Sequence, residues 1–218
     1  MSKLVWDQTG EKLYETGVEQ AAMYKMEADG TYGKGEAWNG LTSVNESPSG
    51  AEPTALYAND KKYLELRSAE EFGGTIEAYT YPEGFNECNG AVSVVKGVRL
   101  TQQVRKAFGL VYKSLIGNDT EGTKHGYNLN IVYNAVASPS EKSNTSISDS
   151  PEAATLSWEF STTPVSIPGY DPCAHIVINS TEVDAEKLAE LEAILYGSET
   201  EEPRLVLPDE LLTLVSAG

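Results

Sequence analysis

Residues 127–135 read YNLNIVYNA, and this stretch decides the class of fold to which the chain belongs. Apolar and aromatic side chains occupy every second position, from Tyr127 through Ile131 and Tyr133 to Ala135, and asparagines fill most of the positions between them. Side chains two residues apart share one face of a β-strand, so this period indicates a strand with one buried face. The stretch predicts a sheet rather than a helical bundle.

The same alternation recurs on both sides of this strand. Gly, Pro, Asn and Asp separate the alternating runs, a pattern typical of an antiparallel β-sandwich or barrel. We expect strands at residues 104–115, 154–163 and 173–179, with weaker candidates at 37–44, 63–66, 75–81 and 91–100.

One helix is expected, over residues 184–196. Its leucines at 188, 191 and 195 lie on one face, and charged residues cover the rest. Ser180, Thr181 and Asp184 are candidate caps for its start, and Gly197 suits the position after its end. The expected fold class is therefore mostly β with one helix in the C-terminal half (α+β). Residues 68–71 (SAEE) also suggest a short helical turn, because they fit a capping box.

Two long segments follow neither the strand nor the helix period. They are residues 43–61 (SVNESPSGAEPTALYANDK) and residues 138–154. Loops of more than about 12–15 residues inside compact domains are usually functional or disordered. With no internal repeat and no domain boundary in the composition, we expect one domain over residues 1–218 with two long loops.

Charge and hydropathy exclude several classes of function. The chain has 218 residues and a formal net charge of −17, which disfavours binding to a phosphate backbone or to an anionic membrane surface. No apolar run approaches the ~20 residues of a membrane-spanning helix. The N-terminus lacks the apolar region of a signal peptide, so we expect synthesis and retention in the cytosol.

Motifs that carry chemistry are weak in this sequence. Residues 117–124 (GNDTEGTK) have the wrong order for a phosphate-binding loop and precede a strand, so they indicate a hairpin loop. The two histidines, His125 and His175, lack zinc-site spacing, and Cys88 and Cys173 are expected to be buried, reduced thiols. We expect no catalytic residue, cofactor or metal, and no enzymatic activity.

Ordered short strings along the chain resemble the major tail protein, or tail tube protein, of long-tailed siphophages. The resemblance extends over residues 6–211, and it rests on the number and order of the strings rather than on any one of them. They include WNGLT (38–42), ESPSGAEP (46–53), YLEL (63–66), SAEEFG (68–73), IEAYTYP (76–82), FGL (108–110), GND (117–119), SPSEK (138–142), DSPEA (149–153) and VDAEKL (183–188).

The resemblance implies packed β-sheets flanked by a helix, and hexameric rings that stack into a hollow tube. DNA would pass through this tube during ejection without specific binding. The implied partners are other copies of the chain, a tape-measure protein, and tail terminator or tip proteins. The implied location is the virion tail, assembled in the host cytoplasm. Some members append an immunoglobulin-like domain at the C-terminus, and we expect none here.

Contacts between stacked rings are assigned to the first long segment. The candidate ring-stacking loop contains Glu46, Ser47, Pro48, Gly50, Glu52 and Pro53. We hypothesise that residues 43–60 are unordered in the monomer and become ordered in the tube, the alternative being a mobile surface loop. Two other functions stay open: a monomeric glycan-binding β-sandwich, for which the 12 tyrosines would be suited, and a hydrolase with two carboxylates.

Overall fold

The computed structural model describes residues 3–146 and 153–216. Within these residues the chain forms sixteen strands and three helices. The strands are β1 Tyr14–Met26, β2 Tyr32–Ala37, β3 Leu41–Glu46, β4 Ser49–Gly50, β5 Pro53–Ala58, β6 Lys61–Arg67, β7 Glu70–Glu71, β8 Gly73–Ala78, β9 Val92–Val95, β10 Val98–Leu100, β11 Phe108–Asn118, β12 Gly122–Ala137, β13 Leu156–Thr162, β14 Val165–Ile167, β15 Tyr170–Cys173 and β16 His175–Asn179. The helices are α1 Phe85–Cys88, α2 Ala185–Tyr196 and α3 Pro208–Ser216.

Eight of the strands form one antiparallel sheet. The order along it is β2-β1-β11-β12-β13-β8-β3, and β16 pairs with β12 outside that path. The sheet branches at β12, because residues 128–132 pair with β16 and residues 135–137 pair with β13. The expected mostly-β, antiparallel α+β class is confirmed.

A bulge in β12 changes the face to which its side chains point. Asn134 has a φ of 49°, and the register against β11 shifts between the pairs Phe108–Ala135 and Leu110–Val132. A bulge adds one residue to one strand and so reverses the alternation beyond it. Ile131 and Tyr133 therefore pack on one side of the sheet and Ala135 on the other. The prediction that Tyr127–Ala135 share a single face is wrong at Ala135.

The first hydrophobic core lies inside the curve of the sheet. Strands pack about 4.8 Å apart, so β1 and β8, four strands apart, would be about 19 Å from each other in a flat sheet. Residues of both strands nevertheless belong to one cluster, so the sheet bends into an incomplete barrel. Phe85 of α1 packs at the centre, 4.6 Å from the ring of Trp38 and 5.1 Å from that of Trp158. The cluster also includes Ala21, Met23, Ile76, Phe108, Leu110, Tyr112, Val132, Ala135 and Phe160.

The second core lies on the outer face of β11, β12 and β16, beneath α2 and α3. The helix α2 begins as expected: Asp184 accepts hydrogen bonds from the backbone N–H of Glu186 (3.0 Å) and of Lys187 (3.2 Å). Its leucines 188, 191 and 195 are buried against Ile131 and Tyr133. The helix α3 was not predicted. It begins at Pro208, where the missing N–H costs nothing, and Leu211 buries it against the same core.

Several expected loops contain regular structure. Residues 43–61 are not a loop, because they contain the end of β3, all of β4 and β5, and the start of β6. Residues 70–71 form β7 rather than a helical turn. Residues 138–146 and 153–154 are irregular, as expected, and residues 147–152 lie outside the described residues. No helix in the described part of the chain is long and apolar enough to cross a bilayer.

Candidate assembly surface

One long β-hairpin extends away from the sheet, and we call its residues 47–72 the arm. It continues the β3–β8 ladder through β4–β7 to β5–β6, with Glu46 opposite Gly74, Ser49 opposite Glu71 and Pro53 opposite Arg67. Asn59 and Asp60 turn the chain at its end with φ values of 50° and 59°, the conformation that two-residue hairpin turns favour. The hypothesis that residues 43–60 are unordered in the monomer is therefore wrong, because backbone pairing orders them within a single chain.

The outer half of the arm, residues 53–67, has one apolar and one charged face. Leu56 pairs with Leu64, and Leu66 pairs with Thr54, so the three leucines share one side of the ribbon. On the opposite side, Glu65 bridges Lys62 and Arg67. Every residue of this half is exposed except Ala55, which is half-buried. The leucine side is therefore an uncovered apolar face.

This exposure is unusual for a two-stranded ribbon. An isolated hairpin is only marginally stable in water, and contiguous exposed apolar surface commonly marks a site of protein–protein contact. Leu56, Leu64 and Leu66 are 42%, 38% and 54% exposed, and Tyr57 and Tyr63 beside them are each 73% exposed. The arrangement is suited to a partner that covers the leucines.

The charge of the outer half differs from that of the rest of the chain. Residues 53–67 contain three basic and two acidic side chains and so carry +1, which leaves −18 on the remaining residues. Opposite charge on two surfaces favours their encounter and fixes their relative orientation. The outer arm is thus electrostatically suited to the acidic body of another copy.

A polar cluster anchors the arm at its base. Glu46 accepts a hydrogen bond from the Tyr112 hydroxyl (2.7 Å), and His175 Nδ1 lies 4.0 Å from Glu46 Oε2. Phe72 stacks on the His175 ring with 4.3 Å between centroids, and His175 Nε2 lies 3.1 Å from Asn130 Oδ1. Burial lowers the pKa of His175, although the carboxylate of Glu46 acts in the opposite direction. The imidazole of His175 therefore joins the base of the arm to the sheet.

Five of the six predicted stacking residues lie in the inner half of the arm or at its base, and Pro53 is the first residue of the outer half. Glu46 belongs to the anchoring cluster, and the Ser47 N–H donates to the Gly73 carbonyl (2.8 Å). Gly50 has a φ of 84°, and a Cβ there would lie 2.6 Å from the Ala69 carbonyl oxygen, so a side chain does not fit. The remaining three, Pro48, Glu52 and Pro53, are exposed.

Sequence reasoning did not assign the outer leucines and tyrosines to the site. Two signals for them were present: the alternation in Tyr63–Leu66, which predicts a strand, and the turn dipeptide Asn59–Asp60. The strand was expected, but its pairing with residues 53–58 was not.

Other exposed apolar segments and free sheet edges occur outside the arm. The hairpin of β9 and β10 exposes Val94, Val95 and Val98, and the N-terminal segment exposes Leu4, Val5 and Trp6. Among the described residues, β2 and β16 each have an edge on which no strand pairs. Together with the arm, these features form the candidate assembly surface.

The residues that were considered for catalysis or metal binding make contacts that belong to the fold. Residues 117–124 belong to a hairpin, as expected, with the turn at residues 119–121 between β11 and β12. Asn118 accepts hydrogen bonds there from the N–H groups of Thr120 and Glu121, and His125 Nδ1 lies 2.8 Å from Glu121 Oε2.

Burial raises the pKa of the Cys88 thiol to about 12. Both cysteines are free, but Cys173 is only half-buried rather than buried. The described residues contain no group of three or more His, Cys, Asp or Glu that could hold a metal ion.

Comparison of the sequence with models of known protein families and with curated proteins gives no match. The arrangement of an exposed amphipathic ribbon, free strand edges and an acidic body is suited to self-association.

Proposed function

We propose that this chain is a structural subunit of a siphophage tail, which polymerises as stacked hexameric rings into the tube that conducts DNA during ejection. The observation that carries the proposal is the exposed leucine face of the arm, formed by Leu56, Leu64 and Leu66. The resemblance of the ordered sequence strings to tail tube proteins supports the assignment to a phage tail.

The arm supplies the contact between rings in this proposal. The positive outer half of the arm and the acidic body of the next copy are different surfaces, so the contact is head-to-tail. A head-to-tail contact that does not close on itself continues indefinitely, as a tube requires. Covering the three leucines removes their apolar surface from water and supplies the main favourable term.

Free strand edges supply the contact within a ring. No strand of the same chain pairs with the outer edges of β2 and β16 among the described residues, although the Gly35 N–H of β2 donates to the Pro203 carbonyl (2.9 Å). The other backbone groups of these edges can pair with a strand of a neighbouring copy. Because the two edges belong to different strands, this contact is also head-to-tail, and a suitable rotation closes it into a ring of six.

Acidity suits the chain to a DNA conduit. Six copies carry six times −17, or −102, and DNA carries one phosphate charge per ~1.7 Å of its axis. A basic lumen would bind DNA, whereas an acidic lumen lets it slide. In this proposal the partners are other copies, a tape-measure protein, and terminator or tip proteins, and the tube belongs to the virion tail after assembly in the host cytoplasm.

Replacing the three leucines of the arm tests the proposal. We expect the Leu56→Ser, Leu64→Ser, Leu66→Ser variant to fold as a monomer and to form no tubes by negative-stain electron microscopy, while the wild type forms tubes. Leu207→Ser is a matched control for Leu66→Ser, since Leu207 is 52% exposed outside the arm, and it should assemble normally.

The possible results separate the function from the role of the arm. Wild-type protein that stays monomeric at high concentration and forms no tubes would contradict the proposed function and favour a binding module. Tubes of normal length from the triple variant would contradict the role of the arm alone.

A further inference from the structure

A cleft of about 560 Å³ lies between residues 101–105, which follow the β9–β10 hairpin, and residues 139–142, which follow β12. The rings of Tyr81 and Trp158, whose centroids are 5.4 Å apart, also line it. Amides and hydroxyls are the commonest of its other side-chain groups. A cleft of this size and polarity is suited to a small polar ligand or to a side chain of a peptide segment.

Arg105 is a half-buried cation of this cleft. The chain has four arginines, and each of the other three forms a salt bridge with a glutamate. Arg105 forms none among the described residues, although the chain contains 33 acidic and only 16 basic side chains. Arginines that are withdrawn from water are usually paired with an anion. This arginine is therefore suited to bind an anion that another molecule brings.

Two neighbours orient the guanidinium of Arg105 and leave one of its edges open. Its Nη1 donates to Asn89 Oδ1 (3.1 Å), and this is the only hydrogen bond of the side chain within the described residues. Gly90 has a φ of 74°, and a Cβ there would lie 3.5 Å from Arg105 Nε, so the glycine keeps the edge formed by Nε and Nη2 clear. Two parallel N–H groups on one edge of a guanidinium match the two oxygens of a carboxylate.

The charges around the cleft favour a carboxylate over other anions. Lys142 and Glu141 line the cleft and offset each other, so Arg105 supplies its net charge of +1. A carboxylate carries one negative charge, whereas a phosphate monoester carries about −2 at neutral pH. Nucleic acid is disfavoured by the net charge of −17 on the whole chain. Asp and Glu side chains also bring a short apolar stem, which suits the rings of Tyr81 and Trp158.

We propose that this cleft binds an Asp or Glu side chain of a peptide segment, whose carboxylate accepts hydrogen bonds from Nε and Nη2 of Arg105. The segment belongs either to a second copy of this acidic chain or to another protein, and both sources present the same chemistry. The site goes beyond the proposed function, because binding of a carboxylate does not require a tube.

Ligand-observed NMR with two short peptides tests the site. The probes are acetyl-Ala-Glu-Ala-amide and the same peptide with Gln in place of Glu, added to wild-type protein below the concentration at which it assembles. We expect saturation transfer to the Glu peptide with a dissociation constant on the order of 1 mM, and binding of the Gln peptide on the order of tenfold weaker. Equal binding of the two peptides, or no binding of the Glu peptide, would overturn the proposal. Displacement of the Glu peptide by a lower concentration of inorganic phosphate would overturn the choice of a carboxylate.

Three variants assign the binding to Arg105. Arg105→Gln should lose the preference for the Glu peptide, and Arg105→Lys should retain only part of it, because an ammonium keeps the charge but lacks the paired N–H groups. Arg99→Gln is the matched control, since Arg99 pairs with Glu83 outside the cleft, and it should bind the Glu peptide as the wild type does. An Arg105→Gln variant with the wild-type preference, or an equal loss in Arg99→Gln, would overturn the proposal. Far-ultraviolet circular dichroism checks that each variant is folded.

An assembly experiment distinguishes the two sources of the carboxylate. If a second copy supplies it, Arg105→Gln should raise the critical concentration for assembly on the order of tenfold, and the Glu peptide should inhibit assembly of the wild type. If another protein supplies it, Arg105→Gln and the wild type should assemble alike. Wild-type protein that binds the Glu peptide but forms no tubes would contradict the proposed function and leave the site intact, so the two proposals fail separately.

Discussion

Two hairpins of this chain are built alike and lie in opposite surroundings. The β11–β12 hairpin and the β5–β6 hairpin are both antiparallel pairs joined by short turns rich in Asn and Asp. The first lies between the two hydrophobic cores and is flanked by β1, β13 and β16. The second has neither a neighbouring strand nor a packed layer on either face among the described residues.

The comparison shows that backbone pairing alone does not decide what a hairpin does. In β11–β12 the side chains of both faces pack against other residues of the same chain, so substitutions there affect folding. In β5–β6 the same kinds of side chain remain available, so changes there affect association. Substitutions of the same residue type in the two hairpins can separate these effects.

The largest difference is expected between two tyrosines. Tyr133 of β12 is fully buried, and its hydroxyl donates to the Val206 carbonyl (2.9 Å), whereas Tyr63 of the arm is 73% exposed. Tyr133→Ala should lower the free energy of unfolding of the monomer by about 3–5 kcal/mol, because it leaves a cavity and an unpaired carbonyl. Tyr63→Ala should change it by less than about 0.5 kcal/mol. Urea denaturation measures both, and similar losses would contradict the comparison.

A smaller difference is expected between two lysines. Lys113 of β11 is buried, with its Nζ 2.9 Å from Glu192 of α2 and 4.1 Å from the centre of the Tyr127 ring. Lys113→Ala should cost about 2 kcal/mol of unfolding free energy, since it leaves Glu192 partly buried without its cation. Lys62→Ala, which breaks the exposed pair with Glu65, should cost less than about 1 kcal/mol.

A compensating variant strengthens the test of the buried pair. Replacing both partners, as Lys113→Met with Glu192→Leu, should recover much of the loss, because no unpaired charge remains. If the double variant is as unstable as Lys113→Ala, then packing rather than the unpaired carboxylate explains the loss.

The smallest expected effect lies at His175, where the arm meets the sheet. Burial lowers the pKa of His175 in the folded state, whereas the imidazole of the unfolded chain titrates near its ordinary pKa of about 6.5. Stability should therefore be constant with respect to this group above about pH 6.5 and should fall as the pH drops below it, because the unfolded chain binds the proton more readily.

Replacing His175 separates its contribution to the pH dependence of stability from that of the carboxylates. The groups that face the imidazole are Glu46, Asn130 and Phe72, and only Glu46 is acidic. His175→Asn should flatten the change in unfolding free energy between pH 7 and 5.5. An unchanged slope in His175→Asn would assign the pH dependence to other groups.

Local pattern was sufficient for much of the fold. Period-2 alternation predicted the central strands β11, β12, β13 and β16, because large apolar side chains recur at every second position over several residues, although β11 and the middle of β12 are buried on both faces. Leucine spacing and the Asp184 cap predicted α2 within one residue. These elements are strong in the sequence because one local period continues through each of them.

The elements that the sequence did not predict have one physical cause in common, because each depends on contacts between residues far apart in the chain. The strands β4 and β5 lack a buried face, so no apolar period marks them, and pairing with residues 61–71 makes them strands. The helix α3 is short, and its burial depends on a core supplied by residues distant in sequence. The bulge at Asn134 reflects the need of β12 to serve two cores, which alternation within one strand does not reveal.

The candidate site shows the same division. The sequence indicated only the first part of the arm, because residues 47–61 fall in the long segment without a period, and it indicated the acidity of the whole chain. The face that the arm exposes followed only from the pairing of Leu56 with Leu64, because register decides which side chains share a side.

The sequence by itself determined the class of fold, the main strands, the helix α2 and the overall charge, since these depend on composition and on contacts close along the chain. Tertiary structure alone decided that the sheet bends around one core and carries helices over another, and that the arm is a paired ribbon with leucines in the open. Those features arise from contacts between residues far apart in sequence, and a local sequence pattern does not identify which distant residues pair.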